Sequence, residues 1–447
     1  MNGIDKLKSL NNKTNEPVRK NKLITEMAYA EFELGNYSQA TNHVQNIIND
    51  ANLDNELRGK CFNLLGMNEI YNTNNLSEAL KWFKEAKVSY ENANLPRRIA
   101  GMEVNIGNIH NIMGQFEEAT KHWEIASGLN QSIGNLDQEG VLLLNRGIFY
   151  FERCQLELAI EMYENALKIF LSLGSFQNQG LALFNMGESY LYLCEYQKAY
   201  SSLNEALSIF KERNLPEEEA DTLFMLSKLF FKVEISSELN QSVKKYAQIV
   251  EKNKLTGKHL TNIEFLNFYQ QYIQKGKYEI SRLEKIKNEY KKFGERVNYA
   301  EVTFLTVRIL IQENNFKEAI KILQYNEFIK FCSQNIIFEA ERQFYLGKLS
   351  LEFGSDNLLP SLEYFNTAYN LIKEESISEI TWKILFALSE VYLSRGNYQK
   401  AKNYFSYTRE LIQYIIDRIE TKRLRKSFSE KDEIKIILDK LESLQTI

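Results

Sequence analysis

Three asparagines with equal spacing are the residues best suited to contact another polypeptide. Asn105, Asn145 and Asn185 follow one another at intervals of 40 residues. A carboxamide donates and accepts hydrogen bonds at the same time, so it can satisfy a peptide unit in either direction. Amides repeated in register could follow an extended or helical ligand in steps. Amides at this spacing could therefore contact a polypeptide, or they could bond only to neighbouring segments of the same chain.

Charged residues in the same segments could select the charge of such a ligand. Arg146 directly follows Asn145, Glu152 lies further along the same segment, and Glu188 closely follows Asn185. We therefore predict that Arg146, Glu152 and Glu188 belong to the partner-binding set together with the three asparagines.

Each asparagine opens a pattern that recurs with the same period. An Asn is followed by a Gly two residues later and then by two alanines, as in Asn185, Gly187, Ala199 and Ala206. Such repetition is typical of stacked helix pairs, because one pair cannot bury its apolar face alone. A small residue or its replacement recurs at steps close to 40, which predicts ten helix pairs. These positions are Ala40, Ala79, Ala119, Ala159, Ala199, Leu239, Ser281, Ala319, Ser361 and Ala401.

A large apolar residue follows the small one four positions later in most units. Trp123 follows Ala119 in this way, and Tyr163 follows Ala159. The small residue lets two backbones approach, and the large one fills the groove that results. We expect these positions to pack neighbouring hairpins against one another.

At these positions the sequence resembles the tetratricopeptide repeat. That family carries Leu-Gly and Tyr in the first helix and Ala, an aromatic residue and Ala in the second. The match here is Met186-Gly187, Tyr190, Ala199 and Ala206, with parallel sets at Gly147, Tyr150, Ala159, Tyr163, Ala166 and at Gly107, Ala119, Trp123, Ala126. The resemblance covers roughly residues 20–408. Its units have about 40 residues where the family's usual unit has about 34, as in long-unit arrays of bacterial signalling proteins and polarity adaptors.

The resemblance implies an all-α fold, a right-handed α-solenoid of antiparallel helix pairs that forms a superhelix. In this family the first helices line a concave groove, and an Asn just before Leu-Gly commonly reaches the backbone of a bound peptide. Asn105, Asn145 and Asn185 match that position. The alternative is that these asparagines bond only to neighbouring repeats.

Changes in the pattern divide the chain into segments. Residues 232–298 are the least regular, because Val233-Glu234-Ile235 replaces a glycine turn, which Gly276-Lys277-Tyr278 restores. We expect two degenerate units there, with a bend or a seam near residues 232–260. The predicted segments are a flexible arm (1–18), units one to five (19–231), units six and seven (232–298), units eight to ten (299–408) and a C-terminal basic segment with a capping helix (409–447).

The C-terminal segment is first basic and then amphipathic. Residues 418–426 read Arg-Ile-Glu-Thr-Lys-Arg-Leu-Arg-Lys, and Ser427 predicts the N-cap of a closing helix. A terminal repeat leaves an apolar face open, which such a helix would cover. The basic run could contact nucleic acid or an acidic partner, or it could be a solvated helix end. We favour the helix end, because the rest of the chain has no net positive field.

Composition and motifs argue against most other functions. The net charge of −4 predicts no general attraction to nucleic acid or to anionic membranes, and no apolar run is long enough to predict a membrane span. The four cysteines are far apart, and Cys154 and Cys194 take the place of the turn glycine in consecutive units. The histidines form no metal-binding pair. We expect no metal, no cofactor and a reducing, cytoplasmic location.

The sequence thus predicts a protein that binds other proteins. No nucleotide-binding or nucleophile motif occurs, so we expect no enzymatic activity. The main hypothesis is a scaffold that captures a peptide or protein segment in its concave groove. The alternative is a regulatory sensor that responds to a short peptide and controls a transcription factor or response regulator. The partner and the oligomeric state are left open.

Overall fold

The computed structural model describes residues 3–14, 16–274, 279–352, 358–374 and 378–444. Within these ranges the chain forms helices and contains no strand, as expected for an all-α protein. The chain divides into two compact units, Met1–Leu142 and Leu143–Ile447. Their boundary lies inside a helix of the fourth pair. It does not coincide with the segment 232–260, where the sequence suggested a seam.

The first unit consists of helices connected by short turns. Its members are α1 (Gly3–Lys13), α2 (Pro17–Glu33), α3 (Tyr37–Gln45), α4 (Asn55–Asn68), α5 (Leu76–Asn92), α6 (Pro96–Ile112), α7 (Phe116–Ser132) and the start of α8 (Leu136–Glu152). A π-helical segment, Glu69–Thr73, continues α4.

The second unit continues the same alternation. After α8 it contains α9 (Leu156–Leu173), α10 (Phe176–Tyr192), α11 (Tyr196–Glu212), α12 (Pro216–Lys232), α13 (Ser236–Asn253), α14 (Lys258–Ile273), α15 (Ile280–Phe293), α16 (Arg296–Gln312), α17 (Phe316–Leu323), α18 (Asn326–Cys332), α19 (Ile336–Glu352), α20 (Leu358–Ile372), α21 (Glu379–Ser394), α22 (Tyr398–Asp417), α23 (Lys422–Ser429) and α24 (Asp432–Leu444).

Helices α2 to α22 form ten consecutive pairs within the described part of the chain, as the spacing predicts. In the eighth pair the second helix is split into α17 and α18. The small residues that mark the second helices are fully buried in most pairs; Ala159, Ala199 and Ala319 have no exposed surface.

A glycine in the first helix of a pair lies against a large side chain of the second helix. A Cβ atom on Gly147 would lie 2.2 Å from Cε1 of Tyr163, and one on Gly107 would lie 2.6 Å from Nε1 of Trp123. The large residue therefore covers the glycine of its own hairpin. We expected it to fill a groove between neighbouring hairpins, and this contact within one pair explains why both residue types recur together.

The turns inside the pairs need a residue with positive φ. Cys154 and Cys194 have φ of 61° and 57°, which confirms that they stand where other pairs have glycine. Glu234 has φ of 60°, so the sixth pair turns in the same way although its sequence lacks the glycine. Such a conformation is costly for residues other than Gly, and packing of the two helices must hold it.

The seventh pair differs from the prediction in its register. Ser281 is exposed, and the inward positions of α15 are Leu283, Ile286 and Tyr290. Ser281 was therefore the wrong marker, because α15 begins at Ile280 and its first buried position is Leu283. The predicted turn at 276–278 lies outside the described residues.

Both ends of the chain also depart from expectation. The segment predicted as a flexible arm contains α1, whose Ile4 is buried with an exposed fraction of 7%. At the other end Ser427 lies within α23, so the capping helix α24 begins later, at Asp432. Ile434 and Ile437 of α24 are buried, as a capping role requires.

Candidate functional site

The unit Leu143–Ile447 contains a cavity of about 850 Å³. Its wall comes mainly from the first helices of five consecutive pairs, α12, α14, α16, α19 and α21, and one side is formed by α24. First helices thus contribute most of the wall of this cavity. Tyr192, the last residue of α10, also reaches the wall.

Helical spacing explains how each helix contributes a stripe of side chains. On α16 the lining residues are Glu301, Phe304, Leu305, Arg308, Ile311 and Gln312. Their intervals of three and four residues place them on one face of the helix. The same spacing brings Lys228 and Lys232 together on α12, and Glu379 and Lys383 on α21.

Aromatic side chains provide the apolar part of the wall. The rings of Phe231 and Tyr269 are stacked with centroids 3.7 Å apart, and those of Phe304 and Tyr345 are stacked at 5.9 Å. Tyr272 lies under the guanidinium of Arg308, whose Cζ is 5.4 Å from the ring centroid. Stacked rings of this kind are rigid surfaces on which a ligand side chain can pack.

One carboxylate in the wall joins two helices. Glu379 accepts hydrogen bonds from Lys232 at 2.8 Å and from Lys383 at 2.6 Å. Burial alone would raise the pKa of Glu379, but Lys232 and Lys383 hold this pKa well below its usual range. The carboxylate therefore stays charged and is fully engaged within the protein.

A second buried ion pair lies near the α10 end of the cavity. Lys228 is 1% exposed and its Nζ lies 2.8 Å from Oε2 of Glu301. Tyr192 donates a hydrogen bond of 3.0 Å to the other oxygen of Glu301. Asn298 accepts from Lys228 at 3.3 Å. These contacts satisfy the lysine inside the protein.

Three other polar groups of the wall have no comparable partner among the described residues. Glu341 makes neither a hydrogen bond nor an ion pair with any described residue, and burial raises its pKa to about 7 although Lys383 opposes the shift. Arg308 has no carboxylate within ion-pair distance in the described part of the chain. The indole Nε1 of Trp382 is buried without an acceptor. Buried polar groups are normally paired, so Arg308 and Trp382 can donate hydrogen bonds to a ligand and Glu341 can accept one.

The C-terminal segment packs on the turns of the fifth and sixth pairs. Arg418 lies 3.2 Å from Glu195, and Arg423 lies 2.5 Å from Glu238. The ring of Phe428 packs on Tyr196 with centroids 5.3 Å apart. Two of the basic residues therefore pair with carboxylates of the same chain, which supports the reading of this run as a structural segment.

The predicted asparagine ladder lies elsewhere, and none of its members lines the cavity. Asn105 donates a hydrogen bond of 3.3 Å to Asn63 of the preceding pair, which is the structural alternative considered above. Asn145 is exposed and Asn185 is half-buried, and neither side chain makes a hydrogen bond in the described part of the chain. These two amides are available to a partner.

The predicted charged residues have different surroundings. Glu152 is exposed at the end of α8, and Arg146 is half-buried with a buried Nε that lacks an acceptor. Glu188 on α10 is half-buried, and burial raises its pKa to about 7 although Lys228 opposes the shift. Of the predicted residues, Glu188 is the one whose charge interacts with the wall of the cavity.

One feature of the sequence, Lys228, indicates a buried ion pair at the cavity, and we did not include it among the predicted residues. Lys228 lies in an otherwise apolar run, Leu226-Ser227-Lys228-Leu229-Phe230, in which every residue is buried. A lysine in such a run needs a buried carboxylate, and that requirement points to Glu301 or a similar partner. The partner itself is 73 residues away, so only the fold could identify it.

The described residues contain no cluster of His, Cys, Asp or Glu that could hold a metal ion. No helix among them has the length and apolar character needed to cross a membrane.

Comparison with known proteins identifies the repeat. The tetratricopeptide repeat family model matches residues 98–172 and 138–212. The chain contains tetratricopeptide repeats. Proteins with this repeat are generally non-catalytic, and the repeats support a role as a protein–protein interaction scaffold.

Solved structures that resemble this tetratricopeptide-repeat chain are distant in sequence. A Rap protein complexed with competence and sporulation factor is 11% identical, with a TM-score of 0.47 over 90% of this chain and 100% of that chain. BtubC (BKLC) from P. vanneervenii is 18% identical, with a TM-score of 0.42 over 47% of this chain and 88% of that chain. No curated protein matches the sequence significantly.

Proposed function

We propose that this protein is a non-enzymatic scaffold that binds a peptide or a protein segment in the cavity of the unit Leu143–Ile447. The observation that carries the proposal is the cavity itself, whose volume of about 850 Å³ accommodates a short peptide. Ligand pockets in proteins commonly measure about 300–1,000 Å³ and combine apolar walls with a few placed polar groups. This cavity has both features.

The polar groups that lack partners match the chemistry of a peptide. Arg308 can bind a carboxylate, Glu341 can accept from an amide or an ammonium group, and the Trp382 N–H can donate to a carbonyl oxygen. A peptide carries all three complementary groups. The aromatic rings beside them provide surface for its side chains.

The arrangement of the charges favours binding over catalysis. Glu379 and Glu301 are held in ion pairs with lysines, which leaves neither carboxylate free to exchange a proton with a substrate. We therefore propose no reaction that uses these two carboxylates.

A synthetic library tests this function directly. Equimolar pentapeptides would be incubated with the full chain, and bound members would be identified by affinity selection and mass spectrometry. We expect a subset of sequences to bind, and we expect Arg308→Gln and Trp382→Phe to weaken them. Glu430→Gln, on the C-terminal segment but not in the cavity wall, is the control and should bind like the wild type. Absence of any selected peptide would refute the proposal.

The asparagine ladder is proposed as a second contact surface for a larger partner. Asn145 and Asn185 have amides that no described residue occupies. Once a partner protein is known, Asn105→Ala, Asn145→Ala and Asn185→Ala combined should reduce its capture, while peptide binding in the cavity stays unchanged. Full capture by the folded triple variant would remove this surface from the proposal.

A regulatory sensor is the second candidate, and one observation favours it. Helix α24 belongs to the C-terminal segment and also forms a side of the cavity, so a ligand there would contact a terminal element of the fold. A sensor for a transcription factor or response regulator requires that a peptide change the shape of the protein. A selected peptide should then change the radius of gyration measured by small-angle X-ray scattering, whereas a simple scaffold would keep it.

We further propose that the protein acts in the cytoplasm and binds neither membranes nor nucleic acid. The four cysteines are thiols, which suits a reducing compartment. Cell fractionation and a filter-binding measurement with duplex DNA would test these two points.

A further inference from the structure

Glu433 of helix α24 faces the cavity, and one oxygen of its carboxylate lacks a hydrogen bond from the described residues. The side chain of Glu433 lines the wall, and its Oε2 lies 3.9 Å from Nζ of Lys383. This oxygen is buried and accepts no hydrogen bond from the described residues. The carboxylate is thus close to a cation without the direct contact that would compensate its burial.

The cations near Glu433 are only partly neutralised by other carboxylates. Lys383 donates at 2.6 Å to Glu379, and its distance to Glu433 is longer. Arg308 has no carboxylate partner in the described part of the chain. Burial alone would raise the pKa of Glu433, but Lys383, Arg308 and Lys431 together hold it below its usual value. Glu433 therefore lies in a positive field that it does not contact directly.

This geometry leaves room for a better anion. A buried carboxylate oxygen that accepts no hydrogen bond is less stable than a satisfied one, and Oε2 of Glu433 is such an oxygen. A carboxylate that contacts the guanidinium of Arg308 directly would form a charge-assisted and often bidentate pair. A ligand carboxylate would therefore gain more from these cations than Glu433 does.

We propose that Arg308 and Lys383 form a carboxylate subsite, which Glu433 of α24 approaches without direct contact in the ligand-free protein and from which a carboxylate of the bound peptide displaces it. The inference rests on the proposed peptide-binding function and adds to it the chemical class of the ligand. The coupling is reciprocal: if docked α24 lowers the affinity for the ligand, the bound ligand destabilises the docking of α24 by the same free energy.

The displacement would extend to the neighbouring segment. Lys431, two residues before Glu433, donates at 2.9 Å to the backbone oxygen of Lys232. Ser427 donates to the backbone oxygen of Glu234 at 3.1 Å. These bonds hold α23 and α24 on the turn between α12 and α13. Movement of Glu433 out of the cavity strains them. The basic residues of 422–426 are already exposed, so ligand binding should loosen the backbone of this run and make it a better protease substrate.

Three pentapeptide libraries test the inference with the full chain. The first has free C-termini and no acidic residues, the second is the same library with amidated C-termini, and the third is amidated but contains one Asp or Glu. Tighter binding of the first library than of the second identifies an α-carboxylate as the ligand group. Tighter binding of the third library than of the second identifies a side-chain carboxylate. Glu433→Gln should bind the preferred library about five- to tenfold more tightly, because the internal competitor is neutral. Arg308→Gln should abolish the preference.

A second readout guards against misfolding. The chain has three tryptophans, so a Trp82→Phe and Trp123→Phe background leaves Trp382 as the fluorescent reporter in the cavity wall. Tryptic cleavage after residues 422–426 should accelerate when a carboxylate peptide binds. Glu430→Gln, which removes an exposed charge from the same segment, should leave affinity and cleavage unchanged.

The outcomes separate the inference from the function on which it rests. If the first and third libraries bind no more tightly than the second, and Glu433→Gln has no effect, the subsite is refuted while peptide binding stands. If no library binds to the wild type or to either variant, the proposed function itself fails. Tighter binding of carboxylate peptides by Glu433→Gln, together with faster cleavage on binding, supports both.

Discussion

Oε2 of Glu379 lies 2.8 Å from Nζ of Lys232, although 147 residues separate the two in sequence. The bond links α21 to α12, two helices that both line the cavity. A second bond from Lys383 at 2.6 Å makes Glu379 the shared partner of two lysines. The wall of the cavity is therefore held together by charge as well as by apolar packing.

Glu379→Gln is expected to destabilise the fold strongly. Removing one member of a buried ion pair leaves the other charges uncompensated and typically costs about 3–5 kcal/mol. Urea unfolding should show this loss. Glu318→Gln, in a pair with Lys321 that is exposed on both sides, is the matched control and should change the free energy by less than about 1 kcal/mol. Equal effects of the two substitutions would contradict the role assigned to Glu379.

Gly147→Ala is expected to destabilise the fourth helix pair. The new Cβ would lie 2.2 Å from the ring of Tyr163, so the ring or the helix must move, at a cost of about 1–3 kcal/mol. Gly128→Ala is the control, because Gly128 lies in α7 with open space around its Cβ position. Alanine should stabilise that helix by up to about 1 kcal/mol. Thermal unfolding of both variants measures the difference, and the same sign for both would refute the packing argument.

Stability should depend on the ionisation of Glu341. Burial raises the pKa of this carboxyl to about 7, above its value in the unfolded chain, so the folded protein binds a proton that the unfolded chain has released. Stability therefore decreases as the pH rises from about 4.5 to about 7, and the loss is complete above that range. Glu341→Gln removes this loss and should stabilise the protein at pH 8 by on the order of 1–3 kcal/mol more than at pH 5.

Melting temperatures of wild type and Glu341→Gln at pH 5, 6, 7 and 8 give the comparison. Glu152→Gln, an exposed carboxylate on α8, serves as the reference for charge removal alone. Parallel curves for wild type and Glu341→Gln would show that Glu341 titrates normally.

The docking of α23 should be sensitive to salt. The ion pairs of Arg418 with Glu195 and of Arg423 with Glu238 involve arginine side chains that are 46% and 64% exposed. Exposed pairs are screened by salt and contribute less than about 1 kcal/mol each. Hydrogen exchange of residues 422–429 should therefore accelerate between 50 mM and 500 mM NaCl, while exchange in α16 stays constant. Unchanged exchange in 422–429 would mean that the apolar contact of Phe428 with Tyr196 and the hydrogen bond from Ser427 to Glu234 hold this segment without the ion pairs.

The recurrence of Asn, Gly and Ala at 40-residue steps was sufficient to predict the helix pairs, their number and the repeat type. The reason is local: helical periodicity and the turn residues act over a few positions, and the repeat shows them many times. The same locality explains the errors. Ser281 was assigned by counting steps of 40 residues, but α15 begins at Ile280, later than that count requires. Residues 3–13 form a helix, although their sequence alone shows no contact that would stabilise one.

Only the tertiary structure decided where the cavity lies and which charges face it. The stacking of the helix pairs brings together three sets of charges that are far apart in sequence, and no local pattern predicts such contacts. They are Lys232 with Glu379, Lys228 with Glu301, and Lys383 with Glu433. Apart from Lys228, which lies in a mostly apolar run, each of these residues looks like an ordinary surface charge in the sequence. Burial changes their chemistry, because a charge removed from water must find a partner, and the partner is set by the fold.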